Sequence, residues 1–597
     1  MKPIILLFLS LAIFSCEDKT SDSGDPDAGL PISEKVNKLL AQMTLEEKIG
    51  QMTQVNKSNL LKESDIRDYY LGSILSGGGV APPNRRASGW ADMVDRFQGY
   101  ALQTRLKIPI LYGIDAVHGN NNVLDAVIFP HNIGLGATRD AALVEKVAKV
   151  TAEEVAGAGI HWTFAPCIAV PQDERWGRTY EGFAEMPDLV NELGAASVRG
   201  LQGSDLTAKT SVLACAKHYV ADGGTQNGKD QGNVILDEAT LRSIHLSPYD
   251  GAIGAGVQTV MASYSSINGQ KMHGSAYWLT SVLKNEKQFD GLLVSDWAAI
   301  RQLPGSNDDQ ITNSINAGLD IIMLPDNYKE FISALKNLVE TNKVPLTRID
   351  DAVRRILTVK YRLGLWEKTK TERSLTGAVG SDSHRLVARE AVRKSLVVLK
   401  NEGNLLPLSK SISTILVTGS HGDNIGFQCG GWTMEWQGGS GPITKGTTVY
   451  RAIQNAVGEG SVFFMENGLD ETLFPLAIVV IGEEPYAEGA GDRNDLSLKS
   501  SDVAMIKSFK SNGIPVVLIL MSGRPMIISN IIDDCDAIVA AWLPGTEGDG
   551  IADILFGDYK PTGKLPHTWP ATMGQIPVNG LSTGLPVQFP YGYGLTW

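Results

Sequence analysis

Several apolar runs in this chain stop abruptly at a residue able to do chemistry. ILYGID ends in Asp115, VLACAKHYV is broken by Lys217 and His218, and LLVSD ends in Asp296. Farther on, IGEEPYAEG offers Glu483, Glu484 and Glu488 within six residues. Carboxyl groups in such places can act as nucleophiles or as general acids and bases. The bland reading of an Asp after a strand is the cap of the next helix. Several such positions converging on one face of a barrel favour chemistry, because functional side chains gather at the carboxyl ends of barrel strands. Other chemistries lack their motifs: there is no P-loop and no G-x-G-x-x-G turn after a strand.

The elements that must hold these residues alternate along the chain. Between about Pro31 and Trp366, LGSILS, IPILYGID, HWTFAPCIAV, VLACAKHYV, TVMASYSS, GLLVSDW and DIIMLP are strand-like runs separated by amphipathic stretches, the pattern of an α/β fold with a (β/α)8 TIM-type barrel. Thr44 with Glu47 forms a capping-box pattern at the start of that domain. Its last helix, IDDAVRRILTVKYRL, should stop at Gly364. Residues 367–389 read as a linker, because their first half is charged and lacks apolar periodicity. Over 390–597, STILVTGS, LAIVVIGEE, PVVLILMSG and AIVAAWLPG predict a second, α/β sandwich domain.

At 597 residues the chain is too long for one ordinary core, and its 43% hydrophobic and 20% charged residues suit compact globular protein. A net charge of -13 repels phosphate backbones, so nucleic acid is not an expected partner. Lys2 precedes an apolar run from Ile4 to Phe14 that is too short to span a bilayer but suits a signal-peptide core. That run leads into LAIFSC, which resembles a bacterial lipobox with Phe14 bulkier than usual. Residues 1–16 are therefore expected to be a lipoprotein signal peptide with Cys16 lipidated, and 17–30 a polar tether, anchoring an exported protein to the outer membrane. The alternative is a cleaved secretory peptide with an incidental cysteine. Cys167, Cys215, Cys429 and Cys535 are widely spaced, without a C-x-x-C pair, and read as buried small hydrophobes rather than metal ligands or disulfides.

The motifs YGIDAVHGNN, RWGRTYEGFAE, ACAKHYVADGGT, VMASYSSINGQ and LLVSDWAAI, in that order, resemble glycoside hydrolase family 3. The resemblance continues through KNEGNLLPL, CGGWTMEWQG, GEEPYAEGAGD, LPGTEGDGIADILFGDYKPTGKLPHTWP and FPYGYGLTW, and so covers 31–597. It implies a retaining, exo-acting β-D-glucosidase that takes β-linked gluco-oligosaccharide or β-glucan and needs no metal or organic cofactor. It places the nucleophile on Asp296 and, through plant-type members sharing the Pro-Tyr motif, the general acid/base on Glu488. Glu483 and Glu484 are then structural, with Glu435 in reserve. By the same resemblance Asp115, Arg178, Lys217, His218 and Tyr264 bind the sugar ring, and Trp297 with Trp436 clamps the next sugar; Met261, just before Tyr264 in VMASYSS, is expected from its position to line the same pocket, ranked below the polar set.

Each has a bland alternative: an ion pair with Glu181 for Arg178, a satisfied core histidine for His218, and packing for Met261 and the tryptophans. Gln231 departs from the plant enzymes, which carry an acidic residue there, and this leaves contacts with the far hydroxyls open. The branch that cleaves N-acetylglucosamine uses a loop histidine after Lys-His, and none lies between Tyr219 and Ile244. A β-xylosidase or arabinosidase, or a non-catalytic sugar-binding surface lipoprotein, remains the alternative. Linkage preference and oligomeric state are not legible.

Overall fold

The computed structural model describes residues 27, 29–468, 474–581 and 586–597. The signal segment, Cys16 and nearly all of the tether lie outside these described residues.

The first domain is a closed ring of eight parallel strands. These are β1 (Thr53–Asn56), β2 (Ser73–Ser76), β3 (Leu111–Ile114), β4 (Trp162–Thr163), β5 (Cys215–Tyr219), β6 (Thr259–Ala262), β7 (Leu292–Val294) and β8 (Ile322–Leu324). Parallel ladders join β8-β1-β2-β3-β4 and β7-β6-β5, and parallel bridges Trp162–Leu213 and Val294–Ile321 close the circle. Such strands are covered on both faces, which is why they read as continuous apolar runs and not as alternating ones.

Outside the ring, local signals place the helices. Thr44 and Glu47 form the expected reciprocal cap ahead of Leu45–Gln51. The helix Leu346–Arg362 buries Ile349, Ala352, Val353, Ile356, Leu357 and Lys360 at helical spacing, and Gly364 follows it at φ +66°. Lys360 is a buried cation in that stripe. Its ammonium donates to Gln51 Oε1 (2.6 Å) and to the carbonyls of Gly72 (2.9 Å) and Pro109 (2.7 Å), which satisfies all three N–H groups.

The second domain holds a six-stranded sheet: β9 (Val397–Asn401), β10 (Ile415–Thr418), β11 (Val462–Met465), β12 (Ala477–Gly482), β13 (Val516–Met521) and β14 (Ala537–Ala540), in the order β9-β14-β13-β12-β10-β11. All pairs are parallel except β9 with β14. Alternate residues serve opposite cores. Ala477, Val479 and Ile481 of β12 join one that also takes Ile133, Ala137 and Tyr180 from the barrel domain, whereas Ile478 and Val480 face the outer helices. The sandwich therefore shares one core with its neighbour. Two of its strands, β9 and the edge strand β11, are absent from the runs singled out in the sequence.

The linker reading also differs from the structure. Asp382–Ser395 is a helix that crosses the expected 389/390 boundary, and it buries His384, Val387, Ala388, Ala391, Val392 and Ser395. It packs on Asn132–Thr138 and Ala141–Gly157 of the barrel and on Asp549–Leu555 of the sandwich. His384 Nδ1 lies 2.8 Å from Glu154, and Arg385 bonds Glu547 at 2.7 Å. The stripe is narrow and set in charged residues, so hydrophobicity alone passes over it.

Candidate active site

The carboxyl ends of the barrel strands and two loops of the sandwich enclose a cavity of about 520 Å³. It is lined by Asp115, Arg178, Lys217, His218, Met261, Tyr264, Asp296, Trp297, Trp436 and Glu488, so every pocket residue singled out in the sequence reaches it. Gln231, Phe164, Trp432 and Asn56 line it as well.

Asp296 follows β7. Its Oδ1 accepts from the Trp297 N–H at 2.7 Å, and its own N–H donates to His273 Nε2 at 3.0 Å. Oδ2 is buried and has no hydrogen-bond partner, which leaves one carboxylate oxygen for a substrate atom. Burial pushes its pKa up to about 6, against the pull of Arg178, the Trp297 amide and Lys217. The group is therefore ionised near neutrality but desolvated, as a carboxylate nucleophile must be.

Glu488 comes from the other domain. The loop after β12 is fastened to the barrel on both sides of it. Tyr180 Oη donates to the Tyr486 carbonyl (2.5 Å), and Asp492 accepts from the N–H groups of Gly177 (3.0 Å) and Asp230 (2.9 Å). Arg524, fully buried, pairs with Glu483 at 3.0 Å and donates to the carbonyls of Arg175 (3.0 Å) and Gly491 (2.6 Å). Gly177 is required here, because a Cβ on it would lie 2.1 Å from the Glu488 carbonyl. Glu488 itself sits at φ +55°, a conformation uncommon outside glycine and held by these ties. Burial raises its pKa to about 8, with Arg178 opposing and Asp296 adding to the rise. It is thus protonated when Asp296 is charged. Two carboxyls whose environments separate their pKa values are what acid/base and nucleophile roles demand.

Around them the polar side chains lock one another. Arg178 grips Glu181 with two bonds (2.9 and 3.0 Å), donates to His218 Nε2 (3.0 Å) and stands 3.4 Å from Glu488. The ion pair with Glu181 and the place in the pocket therefore coexist. His218 Nδ1 donates to Asp222 at 2.7 Å, and burial with two neighbouring cations keeps the ring neutral. Cys167, His218 and Asp222 lie close enough to share an ion, but both His218 nitrogens are already engaged. Lys217 Nζ reaches Asp115 at 3.3 Å and lies 5.7 Å from the Trp432 ring centroid. Tyr264 Oη donates to the Trp297 carbonyl (2.5 Å). At the mouth Trp297 and Trp436 are 36% and 44% exposed, enough to offer ring faces to a ligand. All four cysteines outside the signal segment are free and buried.

The remaining glutamates separate cleanly. Glu483 is spent on Tyr486, Gly523 and Arg524, while Glu484 bonds Lys499 at the surface. Glu435 pairs with Arg85 (2.9 Å) and does not line the cavity. Asp222 and Trp432 were passed over in the sequence, although each stands four residues from one that was noted, His218 and Trp436.

Residues 44–359 match the Glycosyl hydrolase family 3 N terminal domain and 396–597 the Glycosyl hydrolase family 3 C-terminal domain. The chain is 35% identical to the lysosomal beta glucosidase of Dictyostelium discoideum, over 94% of this chain and 76% of that one. It is 32% identical to the periplasmic beta-glucosidase of Salmonella typhimurium, over 94% and 80%. The crystal structure of an exo-1,3/1,4-beta-glucanase from a Pseudoalteromonas species superposes with a TM-score of 0.91 at 42% identity, covering 95% of this chain and 74% of that one.

Proposed function

The chain belongs to glycosyl hydrolase family 3, and on that premise we propose that Asp296 and Glu488 are the nucleophile and the general acid/base of its reaction. The protein is an exo-acting β-glucosidase that releases terminal β-D-glucose from β-linked gluco-oligosaccharides or β-glucans, with retention of configuration. The single observation carrying the assignment is the pair of carboxyls in one cavity, the Asp296 carboxyl with an unpartnered oxygen and the Glu488 carboxyl raised in pKa to about 8.

In the first step Asp296 Oδ2 attacks the anomeric carbon. The C–O bond to the leaving group breaks, and Glu488 gives that oxygen its proton. In the second, Glu488 takes a proton from water, whose oxygen displaces Asp296 and restores the β configuration. Asp115, Arg178, Lys217, His218 and Tyr264 hold the ring hydroxyls through charge-assisted and neutral hydrogen bonds, with Met261 packing beneath. Trp297 and Trp436 take the next sugar between their faces.

Hydrolysis of aryl β-glucoside, β-xyloside, α-arabinoside and N-acetyl-β-glucosaminide checks the substrate. Dominant glucoside cleavage is expected. A preferred pentoside would move the specificity, and no cleavage at all would favour a binding protein.

We further propose that the enzyme is exported and lipid-anchored to the outer membrane through Cys16, on the strength of the apolar run, the LAIFSC pattern and the polar residues after it. Cys16→Ala should release the protein from the membrane fraction of a producing bacterium. Unchanged membrane association would contradict the anchor.

A further inference from the structure

Residues 431–436 of the sandwich form the roof of the cavity and carry Trp432 and Trp436, yet the chain there adopts a conformation that bulky side chains avoid. Trp432 and Met434 lie at φ +64° and +62°. Such backbone persists only where surrounding contacts over-determine it, and the contacts come from the barrel.

The central one is Asn121, wholly buried in the loop after β3. Its Nδ2 donates both to the Trp432 carbonyl (2.6 Å) and to the Asp115 carbonyl (2.9 Å). Its Oδ1 accepts from the Val117 N–H (2.8 Å), and its own carbonyl accepts from the Met434 N–H (2.9 Å). One amide therefore ties a sugar-binding residue of the barrel to the aromatic roof of the other domain, with both donor hydrogens used.

Neighbouring contacts share the task. Thr433 Oγ1 donates to His118 Nε2 at 3.1 Å, His131 Nε2 bonds the Gly431 carbonyl at 3.1 Å, and the two imidazoles stack at 3.6 Å. Arg85 holds the Met434 carbonyl from the rim. The Trp432 N–H donates to the Trp436 carbonyl (2.9 Å), so a shift at 432 carries to 436. On the far side Trp436 abuts Gly78, where a Cβ would lie 2.5 Å from its own.

We propose that Asn121 is the positioning residue that sets Trp436 opposite Trp297 and thereby determines how well the enzyme grips the leaving-group sugar. The proposal rests on the reading of these tryptophans as the clamp for that sugar. Asn121 acts through the roof and touches no substrate atom.

The test compares kcat/KM for cellobiose and laminaribiose with kcat/KM for β-D-glucosyl fluoride, whose leaving group is too small to reach the clamp. Asn121→Ala should lower the disaccharide-to-fluoride ratio about tenfold, mostly through KM of the disaccharides. In a Trp436→Ala background it should lower the ratio no further, because coupled residues are not additive. General damage to the fold would depress both substrates alike and leave the ratio unchanged, which would overturn the proposal. A ratio that falls with Trp436→Ala but not with Asn121→Ala would overturn the positioning role and leave the clamp standing. A ratio indifferent to Trp436→Ala would sink both. Should Asn121→Ala not fold, Asn121→Ser carries the same comparison, since its hydroxyl is too short to span both carbonyls.

Discussion

Asp296→Ala will lose kcat on disaccharides and on activated aryl glucosides alike, by on the order of 10⁴-fold or more, because in the proposed mechanism Asp296 forms the glycosyl-enzyme and removing a nucleophile removes the pathway itself. Loss of the unpartnered Oδ2 orphans no protein donor. Oδ1 leaves the Trp297 N–H without its acceptor, and folding should be checked by circular dichroism. Added azide fits the space the carboxylate vacates. It should attack the same face and yield α-glucosyl azide. Substantial residual turnover with β-glucose as product would contradict the nucleophile assignment.

Glu488→Ala should instead divide substrates by leaving group. Disaccharides, whose departing oxygen needs a proton, lose about 10²- to 10⁴-fold, whereas formation of the glycosyl-enzyme from a dinitrophenyl glucoside is little affected. Equal losses on both would sink the assignment.

The pH profile offers a second signature. In the parent enzyme kcat/KM should fall below about 6, where Asp296 takes up a proton, and above about 8, where Glu488 loses its own. The two carboxyls interact, so these limbs belong to the pair. The variant keeps the acid limb and loses the alkaline one.

Much of this site was legible because barrel chemistry sits where apolar runs stop. Asp115, Lys217, His218 and Asp296 interrupt or end hydrophobic runs, and the fold turns each such end toward one mouth. Glu488 is different in kind. Nothing in its glycine-rich loop marks it beyond the resemblance, since its significance depends on a second domain swinging a loop over the first. For the same reason Asn121, Arg524 and Asp492 give no local signal, because their partners in the other domain lie hundreds of residues away.

Backbone conformation was equally hidden. Left-handed Trp432, Met434 and Glu488 look ordinary as letters, because only glycine advertises that region. Glu435 shows the opposite failure. It lies beside Trp436 and carries the right group, but Arg85 holds its carboxylate outside the cavity. For Arg178 the ion pair with Glu181 coexists with a place in the cavity lining. A buried guanidinium has donors enough for Glu181, His218 and a ligand.

The most direct test of the central claim is to trap the intermediate with 2-deoxy-2-fluoro-β-D-glucosyl fluoride and map the labelled peptide by mass spectrometry. Stoichiometric inactivation with the sugar on Asp296, reversed as the enzyme regains activity, is the predicted result. A label on another carboxylate, or no label from an enzyme that releases α-glucose, would contradict it.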